Sequence, residues 1–452
     1  MYLLRSISAL FLCLLMISGC AVLDPNNIIG RRNAGTPGPY DAIPTADDHW
    51  RQATLDYVWT TINEKYYDPN LNGVDWTSVR RKYEPAILAA LSDDDYWETL
   101  DRMTGELKDS HTRVHGPKQV AQQRDEEAHT LGIGFMEINE ALIVTTVHAE
   151  SDGFWAGVRP GMTIKTIEGE PALDRYRRLM TEVRNSSTPW ARARGASRKI
   201  MAGDIDSLVS MTFSRQIAPG RANESGDITS TMKRRKFRTP PQMVSRVLPS
   251  GYGYVRFTNF LGGLESEVLA AIERMKATPG MIVDLRNNGG GSLAMANKLA
   301  TKFLSEKAKG ARVLTRDSRP ITVAFIPVIR LETDLDGDPQ EAYRNPLVIL
   351  TNENSASASE VFSSTLQDLG RATVIGQRSC GCLLGYLGYA DLPGGGQLAY
   401  SEIGFVSPKG KRIEGEGVAP DVEIKPSRDD ILFNRDRMLE AAEAFLKNKI
   451  KE

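Results

Sequence analysis

Apolar residues recur at helical spacing along the first quarter of the chain. Successive apolar positions lie three or four residues apart, which places them on one face of an α-helix. Two stretches rich in Asn, Gly, Ser and Asp, residues 72–73 and 92–95, interrupt this spacing. The pattern predicts an N-terminal helical bundle of three helices over residues 46–118, with apolar faces formed by Trp50, Leu55, Val58, Trp59 and Ile62, by Tyr83, Ile87, Leu88 and Leu91, and by Trp97, Leu100, Met103 and Leu107.

Residues 120–215 change to short apolar runs of the length typical of strands. A short helix-like segment, residues 151–157, lies between two of these runs. The order resembles a PDZ domain, in which a Gly-X-Gly-Phe loop binds a peptide carboxylate through backbone N–H groups. The corresponding candidate peptide-binding residues are Gly132, Ile133, Gly134 and Phe135, and a generic small β domain is the alternative interpretation.

From residue 240 to residue 450 the chain alternates strand-like runs with helical segments, which is typical of an α/β fold. The loop Arg286–Gly291, which ends in three glycines, follows one such run and precedes a helical segment. A loop of this kind can present bare N–H groups to an anion. It lacks the Gly-Lys-Ser/Thr of a nucleotide-binding loop, so an oxyanion hole is the better interpretation.

A turn of small residues joins another strand to another helix. The apolar run Leu347–Leu350 predicts a buried strand, and the helix that follows has apolar residues at Val361, Phe362, Leu366 and Leu369. Between them lies Ser355-Ala-Ser-Ala-Ser359. Enzymes of the α/β class present nucleophiles at such turns, because the start of a helix supplies free N–H groups and a positive field. A small-residue turn with a Ser cap is the alternative.

The composition describes an ordinary soluble protein with room for two or three domains. The 452 residues are 41% hydrophobic and 25% charged, with a formal net charge of −1. This balance provides no general basic field for nucleic acid, and the basic run Lys233–Lys236 is short enough for a solvated surface or a linker. We therefore predict no nucleic-acid partner.

The first 20 residues have the features of an export signal. The apolar run Ala9–Ile17 follows Arg5 and is too short to span a membrane comfortably. The next residues, Ser18-Gly-Cys20, resemble the end of a bacterial lipobox, with Cys20 as the lipidated first residue of the mature chain; an ordinary signal peptide is the alternative. Ala21 after Cys20 resembles lipoproteins of the outer membrane. We expect a lipid-anchored protein facing the periplasm, with residues 21–45 as a flexible tether.

Two cysteines remain if Cys13 is removed and Cys20 is lipidated. They are Cys380 and Cys382, whose one-residue separation is unfavourable for an unstrained disulfide. Two thiols without a nearby His do not make a zinc site. We expect free thiols or a strained disulfide.

Residues 46–425 resemble the tail-specific, or C-terminal processing, serine proteases. The resemblance rests on the order helical bundle, PDZ domain and α/β core, and on the segments Asp284–Gly291, Ser355–Glu360, Gln367–Gly376 and Gly417–Asp421. It implies a multi-domain α/β fold with a crotonase-like protease core. It also implies that Ser357 is the nucleophile, and that the backbone N–H groups of Ala358 and Gly290 form the oxyanion hole.

The chain departs from the Ser-Lys branch of this family. In that branch a lysine lies 25 residues after the nucleophile, and Cys382 stands at that position here. A supporting glutamine four residues later is also missing, because Tyr386 takes its place. A thiol cannot act as the amine base does without becoming a nucleophile itself, so the lysine mechanism is excluded.

Another branch, which includes the tricorn core protease, uses a Ser-His-Ser-Glu tetrad. Ser110 and His111 stand where that branch has its first serine and its histidine, and Glu414 stands shortly before the Gly-Val-X-Pro-Asp segment. The resemblance implies that His111 is the general base for Ser357, and that Glu414, acting through Ser110, orients the imidazole. Glu416 is the alternative acid, and a structural histidine after a helix is the alternative for His111.

The leading hypothesis is a serine endopeptidase of the bacterial cell envelope that processes or degrades proteins whose C-terminal tails bind the PDZ domain. Two alternatives remain: a catalytically inactive PDZ scaffold or adaptor, and a protein in which Cys382 is a redox element or another nucleophile. The expected partners are proteins or peptides with free C-terminal tails, and the membrane through a lipid at Cys20. No metal or organic cofactor is expected.

Overall fold

The structure is a computed structural model that describes residues 24, 28–32, 49–123, 128–215, 226–237 and 242–451. The predicted export signal with its lipidation site Cys20, and most of the predicted tether, lie outside the described residues. Within the described part of the chain, no helix is both long enough and apolar enough to cross a bilayer.

The helices alternate with strands over most of the chain, and the first three occupy the region of the predicted bundle. Side-chain caps begin two of them: Asp75 accepts the N–H of Ser78, and Ser92 accepts that of Asp95. The α-helices are α1 (His49–Lys65), α2 (Trp76–Leu88), α3 (Asp93–Thr104), α4 (Pro117–Gln123), α5 (Asp152–Trp155), α6 (Ala172–Glu182), α7 (Pro189–Met201), α8 (Gly262–Arg274), α9 (Leu293–Thr301), α10 (Ala358–Asp368), α11 (Arg428–Leu432) and α12 (Arg437–Lys451).

The strands are mostly short. They are β1 (Arg113–His115), β2 (Ala128–Thr130), β3 (Ile133–Ile138), β4 (Ala141–Val147), β5 (Thr163–Ile167), β6 (Glu170–Pro171), β7 (Leu208–Ser214), β8 (Asp227–Lys233), β9 (Arg235–Phe237), β10 (Met243–Val247), β11 (Gly253–Phe257), β12 (Met281–Asp284), β13 (Ala308–Lys309), β14 (Arg312–Leu314), β15 (Ile321–Val323), β16 (Ile326–Ile329), β17 (Asp334–Leu335), β18 (Leu347–Thr351), β19 (Thr373–Gly376), β20 (Leu384–Gly385), β21 (Ala390–Asp391), β22 (Gln397–Ala399), β23 (Ile403–Val406) and β24 (Val422–Glu423). The mixed α/β, multi-domain fold predicted from the sequence is confirmed.

The chain forms two compact units, each built from three segments that are separated in the sequence. We call the first the bundle unit; it comprises Met1–Arg124, Lys309–Asp334 and Leu384–Glu414. We call the second the sheet unit; it comprises Asp125–Ala308, Leu335–Leu383 and Gly415–Glu452. The region predicted as one α/β core, residues 240–450, therefore contributes segments to both units.

A six-stranded sheet, ordered β10-β11-β12-β18-β19-β24, organises the sheet unit. Strand β10 is antiparallel to β11, and the other neighbours are parallel. Strands β12 and β18 are adjacent, with Asp284 opposite Leu350. Because the carboxyl ends of parallel strands meet at one edge, the glycine-rich loop after β12 and the serine turn after β18 lie side by side.

Both faces of this sheet are buried. Val283 and Ile349 pack on one face with helices α8, α9 and α10. Ile282 and Val348 pack on the other face with α12. Alternate residues of a strand point to opposite faces, so a strand covered on both sides has an unbroken apolar sequence, as in residues 347–350.

The sheet unit also contains an antiparallel module. Its strands are ordered β3-β4-β5-β7-β8, with β6 paired to β5, so that β3 lies at one edge. Its own core includes Leu142, Ile164, Phe213 and, from α6, Tyr176. This module covers the region for which the sequence predicts a PDZ domain.

Helices α1, α2 and α3 pack with β1, β20, β21 and β22 around the apolar core of the bundle unit. Two three-stranded sheets, β1-β22-β21 and β14-β23-β20, and the hairpin β15–β16 complete this unit. Part of the predicted tether also contacts it. Arg31, whose side chain is 4% exposed, pairs with Glu402 at 3.1 Å, and Arg32 pairs through its backbone with Tyr389.

Candidate active site

Ser357 lies in the turn between β18 and α10, in a backbone conformation that side chains rarely adopt. Its φ is 55° and its ψ is −118°. This conformation is the mirror image of the extended region, which glycine enters freely and other residues enter at a cost of about 1–3 kcal/mol. A strained serine at a strand-to-helix turn is the geometry of a nucleophile elbow.

The other two serines of the turn have structural roles. The hydroxyl of Ser355 donates to the carbonyl of Leu285 at 2.7 Å, and that of Ser359 donates to the carbonyl of Asn288 at 2.9 Å. Both serines are fully buried, whereas Ser357 is partly accessible. The structure therefore distinguishes three serines that are alike in sequence, and only the middle one suits a reaction with substrate.

Gly290 lies against the serine turn so closely that a side chain could not fit. A Cβ atom there would lie 2.6 Å from the carbonyl oxygen of Ala356 and 2.6 Å from Cβ of Ser357. Its φ of +94° also requires glycine. The N–H of Gly290 donates to Asn288 Oδ1 at 3.0 Å, so a role in an oxyanion hole requires this N–H to be shared with substrate.

Ala358 is the first residue of α10. N–H groups in the first turn of a helix have no acceptor within that helix, and the helix dipole adds a positive field there. The predicted oxyanion residues Ala358 and Gly290 are therefore adjacent to Ser357 within one unit, since the N–H nitrogen of Ala358 would lie 2.9 Å from a Cβ at Gly290.

The fully buried carboxylate of Glu360 contacts the backbone of Ser357. It accepts the backbone N–H of Ser357 at 2.9 Å, the hydroxyl of Ser379 at 2.6 Å, and the N–H groups of Gly381 and Cys382 at 2.6 and 3.1 Å. Burial raises the pKa of Glu360 to about 7, and the four hydrogen bonds oppose this shift because they favour the ionised form.

Cys380 and Cys382 form a disulfide, with their Cα atoms 5.1 Å apart. The expectation of free thiols or a disulfide thus resolves to the disulfide. Gly381 between them has a φ of +65°, which reverses the chain over three residues. The hypothesis that Cys382 is an alternative nucleophile is wrong for this structure, because a sulfur in a disulfide carries no thiolate.

Ser110, His111 and Glu414 belong to the bundle unit, and Ser357, Ala358 and Gly290 belong to the sheet unit. His111 follows the buried Asp109, whose Oδ1 accepts the His111 backbone N–H at 2.6 Å and lies 4.0 Å from Nδ1 of its ring. The imidazole is 17% exposed.

The carboxylate of Asp109 has further partners. Its Oδ2 accepts the hydroxyls of Ser401 at 2.6 Å, Thr112 at 2.5 Å and Tyr66 at 3.2 Å. Burial, and then the negative charge of Asp109, raise the pKa of Tyr66; the charge of the buried Glu414 acts on it in the same direction. Asp109 and Glu414 therefore both lie close enough to the Tyr66 phenol to raise its pKa.

The predicted peptide-binding residues Gly132, Ile133, Gly134 and Phe135 lie at the start of the edge strand β3 and just before it. Phe135 packs edge-on against Tyr176 of α6, with ring centroids 5.7 Å apart. An exposed strand edge is the feature to which an extended peptide can add as a further strand.

Sequence reasoning missed the roles of Glu360 and Asp109. Glu360 ends the Ser355–Glu360 segment, and Asp109 precedes Ser110 and His111, so both lie within stretches already singled out. In the structure, the sign of a functional role is that each carboxylate is fully buried beside candidate catalytic residues. The sequence does not show this, because the residues on either side of an acidic residue do not reveal whether its side chain is buried.

Comparisons with known proteins agree with this geometry. Residues 251–424 match the model of peptidase family S41, and residues 47–105 match that of the tricorn protease C1 domain. The chloroplastic C-terminal processing peptidase of Tetradesmus obliquus is 26% identical over 391 residues, which cover 82% of this chain and 76% of that one. The carboxyl-terminal-processing protease of Synechocystis sp. is 25% identical over 387 residues, which cover 83% and 81%.

A solved structure shares the fold. The structure of mature CPAF complexed with lactacystin superposes with a TM-score of 0.67 over 89% of this chain and 99% of that chain, at 14% identity. The family resemblance predicted from the sequence is confirmed by the two family models and by the relatives. Residues 251–424 therefore match peptidase family S41, and the chain is a serine peptidase similar to the carboxyl-terminal processing proteases.

Proposed function

We propose that this peptidase is a lipid-anchored endopeptidase of the bacterial cell envelope, which binds the C-terminal tails of its substrates through a PDZ domain and cleaves them with Ser357. The observation that carries the proposal is the strained, partly accessible Ser357 beside Gly290, flanked by two serines whose hydroxyls are committed to backbone carbonyls. This arrangement favours one nucleophile and a place for negative charge next to it.

In the proposed reaction the Ser357 hydroxyl attacks the carbonyl carbon of the scissile peptide bond, and His111 takes the hydroxyl proton. The N–H groups of Ala358 and Gly290 stabilise the negative charge that develops on the carbonyl oxygen. His111 then donates the proton to the leaving amine, and water, deprotonated by His111, hydrolyses the acyl-enzyme.

Acidic side chains assist His111 in this proposal. Glu414, acting through Ser110, is the acid of the tetrad. Asp109 adds a second negative charge, since its Oδ1 lies 4.0 Å from His111 Nδ1 and also fixes the backbone of that residue. A carboxylate near the imidazole stabilises the protonated ring that forms during the reaction.

The substrate tail is proposed to bind along β3, near Gly132–Phe135. An edge strand offers free backbone groups for a further strand, and the apolar surroundings of Ile133 and Phe135 suit an apolar terminal residue. The lipid anchor at Cys20 rests on the lipobox alone, and the envelope location rests on that anchor.

Cleavage assays test the proposal most simply. The full chain, purified in detergent, is incubated with an unfolded protein that has an apolar C-terminus. We expect Ser357→Ala and His111→Ala to abolish cleavage and His49→Ala, at an exposed histidine, to retain it. Cleavage that survives Ser357→Ala contradicts the proposed nucleophile. Tail binding without cleavage by any form favours the scaffold alternative.

Two further measurements test the finer parts. Replacing the apolar C-terminal residue of the substrate with Asp should raise KM, and an unchanged KM removes the role proposed for the PDZ domain. Radioactive palmitate should label the wild-type chain in a bacterial host and should not label Cys20→Ser. Equal labelling of the two chains contradicts the lipid anchor.

A further inference from the structure

The segment Ser379–Cys382, which we call the disulfide loop, contacts the serine turn directly. The N–H of Cys380 donates to the carbonyl of Ser355 at 2.8 Å. Both cysteine side chains pack with Ala191 and Ala356 in a buried cluster, and both are nearly or fully shielded from solvent. The loop therefore touches the two residues that precede the nucleophile.

A second connection runs through Glu360. One carboxylate oxygen accepts the hydroxyl of Ser379 and the N–H of Gly381, and the other accepts the N–H groups of Cys382 and Ser357. The loop thus binds both oxygens of this carboxylate, and the N–H of Ser357 shares one of them, Oε2, with the N–H of Cys382. A movement of the loop must alter the hydrogen bonding of Glu360, and with it the hydrogen bond that holds the Ser357 backbone.

Helix α7 holds the loop from the other side. The carbonyl of Cys380 accepts the hydroxyl of Thr188 at 2.8 Å and Nε1–H of Trp190 at 2.7 Å. Thr188 also caps α7 by accepting the N–H of Ala191 at 3.2 Å. The loop is therefore held between a helix and the serine turn, and the disulfide closes it within this space.

We propose that the Cys380–Cys382 disulfide is a positioning element for the nucleophile, and that opening it lowers the reactivity of Ser357. The inference rests on the proposed role of Ser357. A disulfide removes conformations from the chain that it closes, and Gly381, at its centre, would otherwise allow many. With the disulfide intact, the N–H groups of Gly381 and Cys382 remain directed at Glu360, and the strained turn at Ser357 keeps its support. Misplacing a reacting group by about 1 Å can cost on the order of 100-fold in rate.

The test measures how fast a fluorophosphonate probe modifies Ser357 in the full chain, with the site identified by mass spectrometry. The oxidised protein is compared with protein reduced by dithiothreitol and with the double variant Cys380→Ala/Cys382→Ala. In the reduction, two electrons and two protons pass from dithiothreitol to the two sulfurs, and dithiothreitol closes into a cyclic disulfide. Because the sulfurs are buried, reduction is carried to completion under mild denaturant, and oxidised protein is treated identically without reductant.

We expect modification to slow by about tenfold or more in both the reduced protein and the double variant. In peptide cleavage the loss should fall on kcat, with KM changed less than about twofold, since the loop supports the nucleophile. The double variant should no longer respond to dithiothreitol, which controls for effects of the reductant elsewhere. If the double variant does not fold, Trp190→Phe, which removes one donor to the Cys380 carbonyl, should slow modification in the same direction.

Equal rates in oxidised, reduced and variant protein would overturn the inference while leaving Ser357 as the nucleophile. Faster modification after reduction would overturn it as well, because the loop would then restrain the site. Failure of the probe to modify Ser357 in the oxidised wild type would overturn the proposed nucleophile and this inference together. The three outcomes separate the disulfide's role from the identity of the nucleophile.

Discussion

Glu360 accepts the backbone N–H of Ser357 at 2.9 Å with the same carboxylate that accepts the N–H of Gly381 at 2.6 Å. A single buried acidic side chain therefore joins the nucleophile turn to a loop some twenty residues away in the sequence. Four donors face its two oxygens, so the site suits a carboxylate and not a neutral amide.

Glu360→Gln should reduce kcat by about tenfold, because the amide nitrogen of glutamine must face two donors that the carboxylate accepts. KM for a peptide substrate should change little. Steady-state cleavage of a peptide measures both constants. Glu353→Gln, at an exposed position in the same turn, is the control and should leave kcat unchanged. An equal loss in the two variants would mean that the turn tolerates no change of charge, and Glu360 would have no special role.

Glu360 should also make stability depend on pH. Its pKa in the folded protein is about 7, above the ordinary value of about 4.3 for a glutamate in an unfolded chain. The folded state then binds this proton more tightly, so this group's contribution to stability is full below about pH 4 and is lost as the pH rises to about 7. Urea unfolding at pH 5 and pH 7.5 should show the wild type losing stability relative to Glu360→Gln. A constant difference would contradict the raised pKa.

The strain at Ser357 predicts that two inactive variants differ in stability. Ser357→Gly releases the strain of a φ of 55°, and the gain, less the entropy cost of glycine, should be about 1 kcal/mol. Ser357→Ala keeps a Cβ atom and the strain, so its free energy of unfolding should equal that of the wild type. Chemical denaturation of the three proteins measures the difference. Equal stability of the glycine and alanine variants would show that the turn is unstrained.

Gly290→Ala should be far more damaging than the same change one residue earlier. The new Cβ would meet the Ala356 carbonyl oxygen and the Ser357 Cβ at 2.6 Å, whereas a Cβ at Gly289 would have nothing within 4 Å. We expect Gly290→Ala to lower the free energy of unfolding by about 3 kcal/mol and to abolish cleavage. Gly289→Ala should retain both. The prediction fails if the two variants behave alike in thermal unfolding and in cleavage.

Asp109→Asn should lower kcat for peptide cleavage, because the carboxylate lies 4.0 Å from His111 Nδ1 and stabilises the protonated ring that forms during the reaction. Steady-state cleavage of a peptide measures kcat. Tyr66→Phe, which removes only a donor to Asp109, is the control and should leave kcat unchanged. An unchanged kcat in Asp109→Asn would contradict the role proposed for Asp109 beside His111.

Much of the sheet unit was predictable because its signals are local. The strand Leu347–Leu350 is continuously apolar since both of its faces are covered, and the turn after it consists of small residues since Gly290 approaches it closely. Both features follow from close packing between neighbouring segments, and such packing restricts the residue types at those positions to apolar or small ones.

The partners of Glu360 and the division into units were not predictable in the same way. Glu360 meets Ser379, Gly381 and Cys382 only once β19 has returned beside β18, so no spacing in the sequence shows the contact. The segments Lys309–Asp334 and Leu384–Glu414 belong to the bundle unit, yet their strands of two to four residues are too short for an alternating pattern. The disulfide was not predictable either. It forms where the backbone turns at Gly381 with a positive φ, and the residue types alone did not show that turn.

The rate at which a fluorophosphonate modifies Ser357, measured in the wild type and in His111→Ala, tests the central claim most directly. A general base accelerates such a reaction by roughly 100- to 10,000-fold, so we expect His111→Ala to slow the modification by about that factor while His49→Ala does not. A probe attached at Ser357 at the same rate in the wild type and in His111→Ala would contradict the assignment of His111 as the base.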